Sequence, residues 1–451
     1  MLPHLIMADK NLTNEEITSK TAAEWLLTAE ETVSHLYSFR DNYIESHGVG
    51  KASDKIKDVQ SKLEETMKYL DDISDKIKNK AVFSMLRGKT LNVSADFNQE
   101  AHDCLSKAVK LDPKQVEGWN QLGESFWKKG DMTGAKNCFS GALDHSKNKV
   151  SLRNLSMVMR QMPGTQEEKT KLIVESVEKA KEAVQLDIQD GISWSILGNA
   201  YLSMFFAAGQ KPKILKQCMS AYQQAEKDSI ANSTADLHHN RANAYKYQED
   251  YQAALEGLTK ASLLDPSWSE PKDREKQLIA YLTNVKQLKD SKGKVKGKKL
   301  ETMIGQVNEK DLGPYNGGSY TGPKGDKVTL KPVKLKELKS DTNLESVIVG
   351  KVVCSVMSED SVPFTFCMVD TEETCFPVTV YNIAPGRGMK IGDSVAIPEP
   401  YVQTVNVHHK ELNIVYNSIR VDSPVLLVVN GKKLGIDKQA PTVLAVDKYH
   451  E

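Results

Sequence analysis

The side chains with the reactivity to attack a substrate or hold a metal are few in this 451-residue sequence: six cysteines and the pair His238–His239 stand out. Cys104, Cys138, Cys218, Cys354, Cys367 and Cys375 are scattered, with no C-x-x-C pair to chelate zinc and no framework spacing for disulfides. They read as free thiols of a reducing compartment. Catalysis also needs convergent titratable groups or a cofactor motif. There is no Walker loop, no G-x-G-x-x-G, no H-E-x-x-H and no nucleophile elbow. His238 and His239 fall in a helical stretch, where a packed or surface histidine is the plainer reading. A non-enzyme without metal or cofactor is expected.

Two further groups of residues have the chemistry of anion binding. In "KDSKGKVKGKKLETM", Lys292, Lys294, Lys296, Lys298 and Lys299 fall within eight positions, interleaved with glycine. Such a run either contacts phosphates or forms a solvated hinge. The Gly/Pro-rich "GPYNGGSYTGPKGD" at 313–326 favours the hinge. Further on, Phe364, Phe366, Tyr381, Tyr401 and Tyr416, with His408, His409 and Lys410, have the aromatic and basic character that stacks on single-stranded bases. Tyr381, Tyr401 and Lys410 are the candidates for a nucleic-acid-facing surface. Phe364 and Phe366, two apart in one strand, read equally as a core face. No global field supports either group, since 60 basic and 60 acidic side chains cancel.

The elements that must position these residues follow from periodicity. In "VEGWNQLGESFWKKGD" (116–131), Trp119, Leu122, Gly123 and Phe126 stand where Trp194, Leu197, Gly198 and Tyr201 stand in "ISWSILGNAYLSMFF" (192–206). Ala108 and Ala183 each precede their tryptophan by eleven residues, so the register repeats as well as the composition. This is the tetratricopeptide pattern: W-x2-L-G-x2-Y on one helix, A-x3-F-x2-A on the next, then proline. Ala135, Phe139 and Ala142 fill the second helix, Ala101, Leu105, Ala108 and Pro113 do so one unit earlier, and Ala254, Leu258, Ala261 and Pro266 close the array. Stacked units bury the faces that a single unit cannot. The stretch 149–163 reads as an extra apolar helix, and 21–47 and 53–79 as capping helices.

After the lysines the pattern changes to period two, in "SVIVGKVVCSVM", "PFTFCMVD", "TCFPVTVYN", "GDSVAIPEP" and "LNIVYNSIRVD". Short β-rich segments separated by turn residues suit a small five-stranded OB-fold-like barrel. The expected fold is therefore a right-handed tetratricopeptide-repeat helical solenoid followed by an OB-fold-like β-barrel. Its boundaries are a flexible N-terminus at 1–20, the repeat array with capping helices at 21–288, a Lys/Gly-rich linker at 289–325, the barrel at 326–430 and a flexible tail at 431–451. No apolar run approaches the ~20 residues that span a bilayer, and no secretory signal opens the chain. A monomer in the cytoplasm and nucleus, with no membrane partner, is expected.

The quoted repeats, together with "LYSFRDNYIESH" (36–47), "NKVSLRNLSMVMRQ" (148–161), "VPFTF", "IGDSVAIPEP" and "LLVVNGK", resemble the tetratricopeptide repeat protein 5 (Strap) family from about residue 20 to 432. Its members start near Met-Ala-Asp, so Met7-Ala8-Asp9 is the equivalent start. The resemblance implies a non-enzymatic adaptor that recognises the Met-Arg-Glu start of nascent α- and β-tubulin at the ribosome. It then promotes tubulin mRNA decay, through an adaptor that recruits a deadenylase complex. It also implies a stress-responsive cofactor linking a histone acetyltransferase coactivator to a p53-type response, and a restraint on an actin-nucleating partner. The alternative is a nuclear transcription cofactor whose barrel engages chromatin or DNA.

By the resemblance, Arg160 pairs with the peptide's Glu, and Asp236 and Glu270 hold its Arg or its charged end. Lys107 and Lys110 contact ribosomal RNA. A mixed-charge peptide end needs acidic and basic partners on one wall. Where relatives carry a Ser-Gln kinase mark, this chain reads "KILKQ" with Leu215-Lys216, so that regulation is not expected here.

Overall fold

The computed structural model describes residues 21–440, apart from 208, 318, 322–324, 326 and 358–362. The expected N-terminal extension, with its start at Met7, and residues 441–451 lie outside the described residues. The chain divides into two compact units, one within 1–200 and 223–233, the other within 201–222 and 234–451.

The first unit holds α1 (Ala22–Asp41), α2 (Tyr43–His47), α3 (Lys55–Asp72), α4 (Lys80–Leu91), α5 (Gln99–Leu111), α6 (Val116–Lys128), α7 (Met132–His145), α8 (Lys149–Gln161), α9 (Gln166–Leu186) and the start of α10 (Gly191–Ala207). Side-chain caps set the helix starts, because the first N–H groups of a helix have no partner within it. Thr21 and Glu24 form a capping box on α1, as do Thr165 and Glu168 on α9. Asn98, Asp131 and Asn148 cap α5, α7 and α8. The helices pack as successive hairpins, α4 on α5, α6 on α7 and α8 on α9.

Small residues explain how the hairpins close. A Cβ on Gly123 would lie 2.6 Å from the Phe139 ring, and one on Gly88 would lie 2.6 Å from Leu105. Backbones approach there because no side chain intervenes. The same register puts Ser156 at the equivalent position of α8, with Leu152, Leu155 and Met159 around it, all buried. The helix expected as an extra one is thus the first helix of a diverged repeat whose glycine has become serine. The two signature tryptophans repeat in detail. Trp119 donates its indole N–H to the carbonyl of Pro113 (2.7 Å), and Trp194 donates to that of Ile188 (3.0 Å), each six residues back.

Past α11 (Pro212–Ala225) and the single turn α12 (Ser229–Asn232), the second unit continues with α13 (Ala235–Tyr247), α14 (Tyr251–Leu264), α15 (Glu270–Asp290) and α16 (Gly297–Gly305). Then come β1 (Ser319–Thr321), β2 (Lys327–Thr329), β3 (Lys331–Pro332), β4 (Asp341–Thr342), β5 (Ser346–Val356), β6 (Phe364–Val369), β7 (Cys375–Val380), β8 (Ser394–Pro398), β9 (Tyr401–His409), β10 (Leu412–Val421), β11 (Val428–Val429) and β12 (Lys432–Lys433).

Strands β5, β6 and β7 form an antiparallel meander, and β10 joins β7 in parallel, with Ile419 opposite Val378. Strands β8 and β9 are separated only by Glu399 and Pro400. The first pairs with β5 and the second with β10. They act as one bent strand that closes the sheet. Glu399 takes a left-handed φ of 40°, and Pro400 has no N–H to give to a ladder, so the bend sits where pairing is cheapest to lose. The interior is filled by Ile348, Phe366, Met368, Val378, Val395 and Ile419. Residues 431–440 are part of this barrel rather than a free tail. Strand β12 pairs with β11, and the Ala440 N–H bonds the Asn382 carbonyl at 2.7 Å.

The outer face of β5, β6, β7, β9 and β10 is buried too. Val353, Cys367, Val369, Val407 and Tyr416 share one core with Leu255 and Leu258 of α14, Leu278, Leu282 and Val285 of α15, and Leu300 and Met303 of α16. Tyr281 of α15 shares a 2.8 Å hydrogen bond with Thr365 of β6. The expected linker therefore does not separate two bodies. Gly293, at φ 69°, lies so close to β5 that a Cβ would come within 2.5 Å of the Val353 carbonyl, and the lysine run is laid down on the barrel. Val295 between the lysines, and Leu300 and Met303 just after them, hold it there.

Candidate functional site

Helix α13 places Asp236 and His239 one turn apart on one face. The turn after α14 brings Trp268 and Glu270 to the same place: Asp265 accepts from the Ser267 hydroxyl (2.6 Å) and N–H (3.1 Å), fixing the bend. The Trp268 ring lies 4.6 Å from that of His239 at 59°. Glu270 Oε1 is 3.9 Å from His239 Nε2 and 3.5 Å from Arg274 Nε. His239 is only 7% exposed, and its Nε2 has no hydrogen-bond partner among the described residues.

Charge here is unbalanced toward the acidic side. Asp236 lies within the field of Asp265, and Glu270 lies beside Arg274. Asp236 keeps an exposed edge, yet protein crowds it, and this burial followed by the charge of Asp265 pushes its carboxyl above the ordinary range. Burial also pulls the His239 imidazole down, against the attraction of Glu270, which favours the neutral ring. A cation entering here would relieve Asp236 and meet an aromatic wall at Trp268.

Asp236 and Glu270 thus both border His239 within the second unit. Arg160 belongs to the first unit, in the last turn of α8, where its Nε donates to the Ser156 carbonyl at 3.2 Å. Lys107 and Lys110 are exposed on α5 with no ion pair among the described residues. Sequence reasoning passed over His239, Trp268 and Arg274. The one available signal was the histidine pair itself, read there as packing. That reading fits His238, which is fully buried, but not His239 with its open nitrogen.

The barrel candidates do not form a base-stacking face. Tyr381 is 1% exposed, stacked under the Arg420 guanidinium at 4.0 Å and against Tyr247 at 4.8 Å. Phe366 and Tyr416 are core. Lys410 is spent on Glu275 at 2.6 Å, an oxygen it shares with His409 Nε2, also at 2.6 Å. Among the aromatic candidates Tyr401 alone is exposed, while His408 and Lys410 also reach the surface. Helix α15 covers the face of β6 and β7 that an OB-fold commonly turns to an oligonucleotide.

Helical hairpins in repeat register, continued into a closed barrel, define a repeat scaffold of the adaptor or cofactor class. Residues 329–443 match the "Tetratricopeptide repeat protein 5 OB fold domain", and residues 235–267 match the "Tetratricopeptide repeat". Tetratricopeptide repeat protein 5 of Homo sapiens is 50% identical over 418 residues, 92% of this chain and 95% of that protein. The Bos taurus protein of that name is 48% identical over 431 residues, 95% and 98% of the two chains. The chain belongs to the tetratricopeptide repeat protein 5 family. Among solved structures, YrrB, described as "a TPR protein with an unusual peptide-binding site", is 20% identical with a TM-score of 0.30, covering 46% of this chain and 96% of that one. The Cut9–Hcn1 hetero-tetramer is 15% identical with a TM-score of 0.40, covering 57% and 48%.

Proposed function

We propose that this chain is a non-enzymatic adaptor that reads the Met-Arg-Glu start of nascent α- and β-tubulin at the ribosome and promotes decay of the encoding mRNA. The observation that carries the reading is the group of carboxylates around His239, with Glu270 beside the ring and Asp236, under the charge of Asp265, one turn away on the same helix. Such a surface favours the Arg side chain or the free amino end of a peptide. Trp268 supplies the flat apolar wall that a guanidinium or a methionine packs against. Arg160 answers the peptide's Glu, and Lys107 and Lys110 meet ribosomal RNA. Decay would follow from recruitment of a deadenylase complex, which places the work in the cytoplasm; a nuclear pool would serve the stress-responsive cofactor role.

The test is binding of a Met-Arg-Glu peptide to the full chain. Asp236→Asn with Glu270→Gln, and separately Arg160→Ala, are each expected to weaken it by about tenfold or more, the worth of one lost charge-assisted contact. A peptide with its Arg replaced by Gln should lose against wild type but not against the Asp236/Glu270 variant. Equal affinity of wild type and both variants for the native peptide would overturn the reading.

A further inference from the structure

We propose that His239 is a proton-operated competitor for Glu270: its charged ring takes the carboxylate from the peptide's cationic group and its neutral ring leaves it free, a regulation that rests on the peptide reading above. The ring's Nε2 is shut off from solvent and has no hydrogen-bond partner among the described residues. A buried polar atom left in that state costs stability and calls for a reason. Glu270 Oε1 stands 3.9 Å from it, just beyond bonding distance, on a side chain that is 44% exposed and so has room to turn. The imidazole itself is 8% exposed and packs on the Trp268 ring at 4.6 Å, so the carboxylate is the group that moves. A small rotation of Glu270 closes the gap.

What that closure gains depends on the proton. A neutral imidazole forms an ordinary hydrogen bond with the carboxylate, whereas an imidazolium forms a charge-assisted one, roughly twice as strong. Glu270 is not firmly held by its other cationic neighbour, since Arg274 Nε is 3.5 Å away. Among the described residues, Glu270 and Arg274, both on α15, are the charges that act on the ring. Asp236, one turn earlier on α13, and Asp265 in the turn before α15 act on each other. Burial, set against the attraction of Glu270, places the ring's titration below the ordinary 6.5, so the site is open at neutral pH and closes on acidification. The affinity for a cation is therefore full above the His239 titration and lost as pH falls through it. Asp236 titrates in the same sense, because its protonated carboxyl also attracts a cation less.

The experiment uses the full chain with isotope-labelled histidine, the His239 resonance being followed by NMR between about pH 8 and pH 5. With no peptide present, Glu270→Gln is expected to lower the His239 titration midpoint by about half a pH unit or more. Saturating Met-Arg-Glu peptide should lower it in the wild type too, because proton and peptide each weaken the binding of the other. In binding isotherms between about pH 7.5 and pH 5, the wild type is expected to lose about threefold more affinity for the peptide than His239→Phe does. The Phe ring keeps the contact with Trp268, and the slope it retains is that of Asp236. An unmoved midpoint in Glu270→Gln would overturn the competition, as would parallel pH profiles of the wild type and His239→Phe. Should the Phe variant not fold, the two NMR comparisons decide alone. A wild type that binds no peptide at any pH would count against the peptide reading, while the peptide-free comparison would still decide whether ring and carboxylate pair.

Discussion

Glu249 sits in an environment that its residue type seldom occupies. It is buried in the turn between α13 and α14 at a left-handed φ of 61°. Gln403 of β9 donates to it, and the Arg420 guanidinium lies 3.5 Å away while also bonding the Tyr247 carbonyl at 2.7 Å. Burial outweighs the pull of Arg420 and pushes the carboxyl from 4.5 up to about 7. Between those values the folded protein holds a proton that the unfolded chain has released. The stability this group contributes is therefore fully present below about pH 4.5 and lost as pH rises through about 7. Glu249→Gln cannot titrate. Its thermal midpoint relative to wild type is expected to climb between pH 5 and pH 8, by the equivalent of roughly 3 kcal/mol. Parallel curves would show the carboxylate to be fully compensated by Arg420. None of this was legible in the sequence, since Arg420 is 171 residues away and a lone Glu in a turn reads as surface. His239 escaped for the same reason: its neighbours Trp268 and Glu270 arrive from the far side of a helical hairpin.

At the scale of the element, the repeats were legible where the large residues survive and hidden where only the small one does. The hairpin of α6 and α7 shows its helical signature positions, with Phe126 in the place of tyrosine. In α4 only Gly88 persists, and in α8 a serine stands in for glycine, yet both helices close on their partners in the same register. What the fold demands at that position is the absence of a Cβ or little beyond it, which a search for aromatics does not detect. The demand is local enough to test within one hairpin. Gly123→Ala would put a methyl 2.6 Å from the Phe139 ring, so it is expected to cost about 1–3 kcal/mol by overpacking. Gly141→Ala meets Trp119 at 3.6 Å, ordinary contact, and gains about 0.5–1 kcal/mol from helix propensity. Chemical denaturation of the two variants should move the midpoint in opposite directions. Two shifts of the same sign would mean that helix propensity or tightness of packing, rather than the fit at each glycine, governs these hairpins.

For the molecule as a whole, the consequence of the shared core is that the barrel is not a separable module. Period-two alternation identified its strands, their aromatic and basic residues were the basis for expecting a nucleic-acid surface, and the Lys/Gly-rich run was the basis for expecting a flexible linker. The strands are instead buried on both sides: Val353, Cys354, Val356, Cys367, Val369, Cys375, Val405, Val407, Ile414 and Tyr416 meet α14, α15 and α16. Removing those helices would expose ten apolar or aromatic side chains, each worth about 1.5–3 kcal/mol when buried. That loss equals or exceeds the roughly 5–15 kcal/mol by which a domain is stable at all. A fragment of residues 326–430 is therefore expected to bind a hydrophobic dye, melt without a cooperative transition and aggregate, whereas a fragment of residues 201–440 should unfold in one sharp step. Any nucleic-acid binding seen with the short fragment alone would then report exposed core strands and not a native surface. A cooperative melt of 326–430 with dispersed amide resonances would show that the barrel closes without its helical cover, and would return the β6–β7 face to consideration as a binding surface.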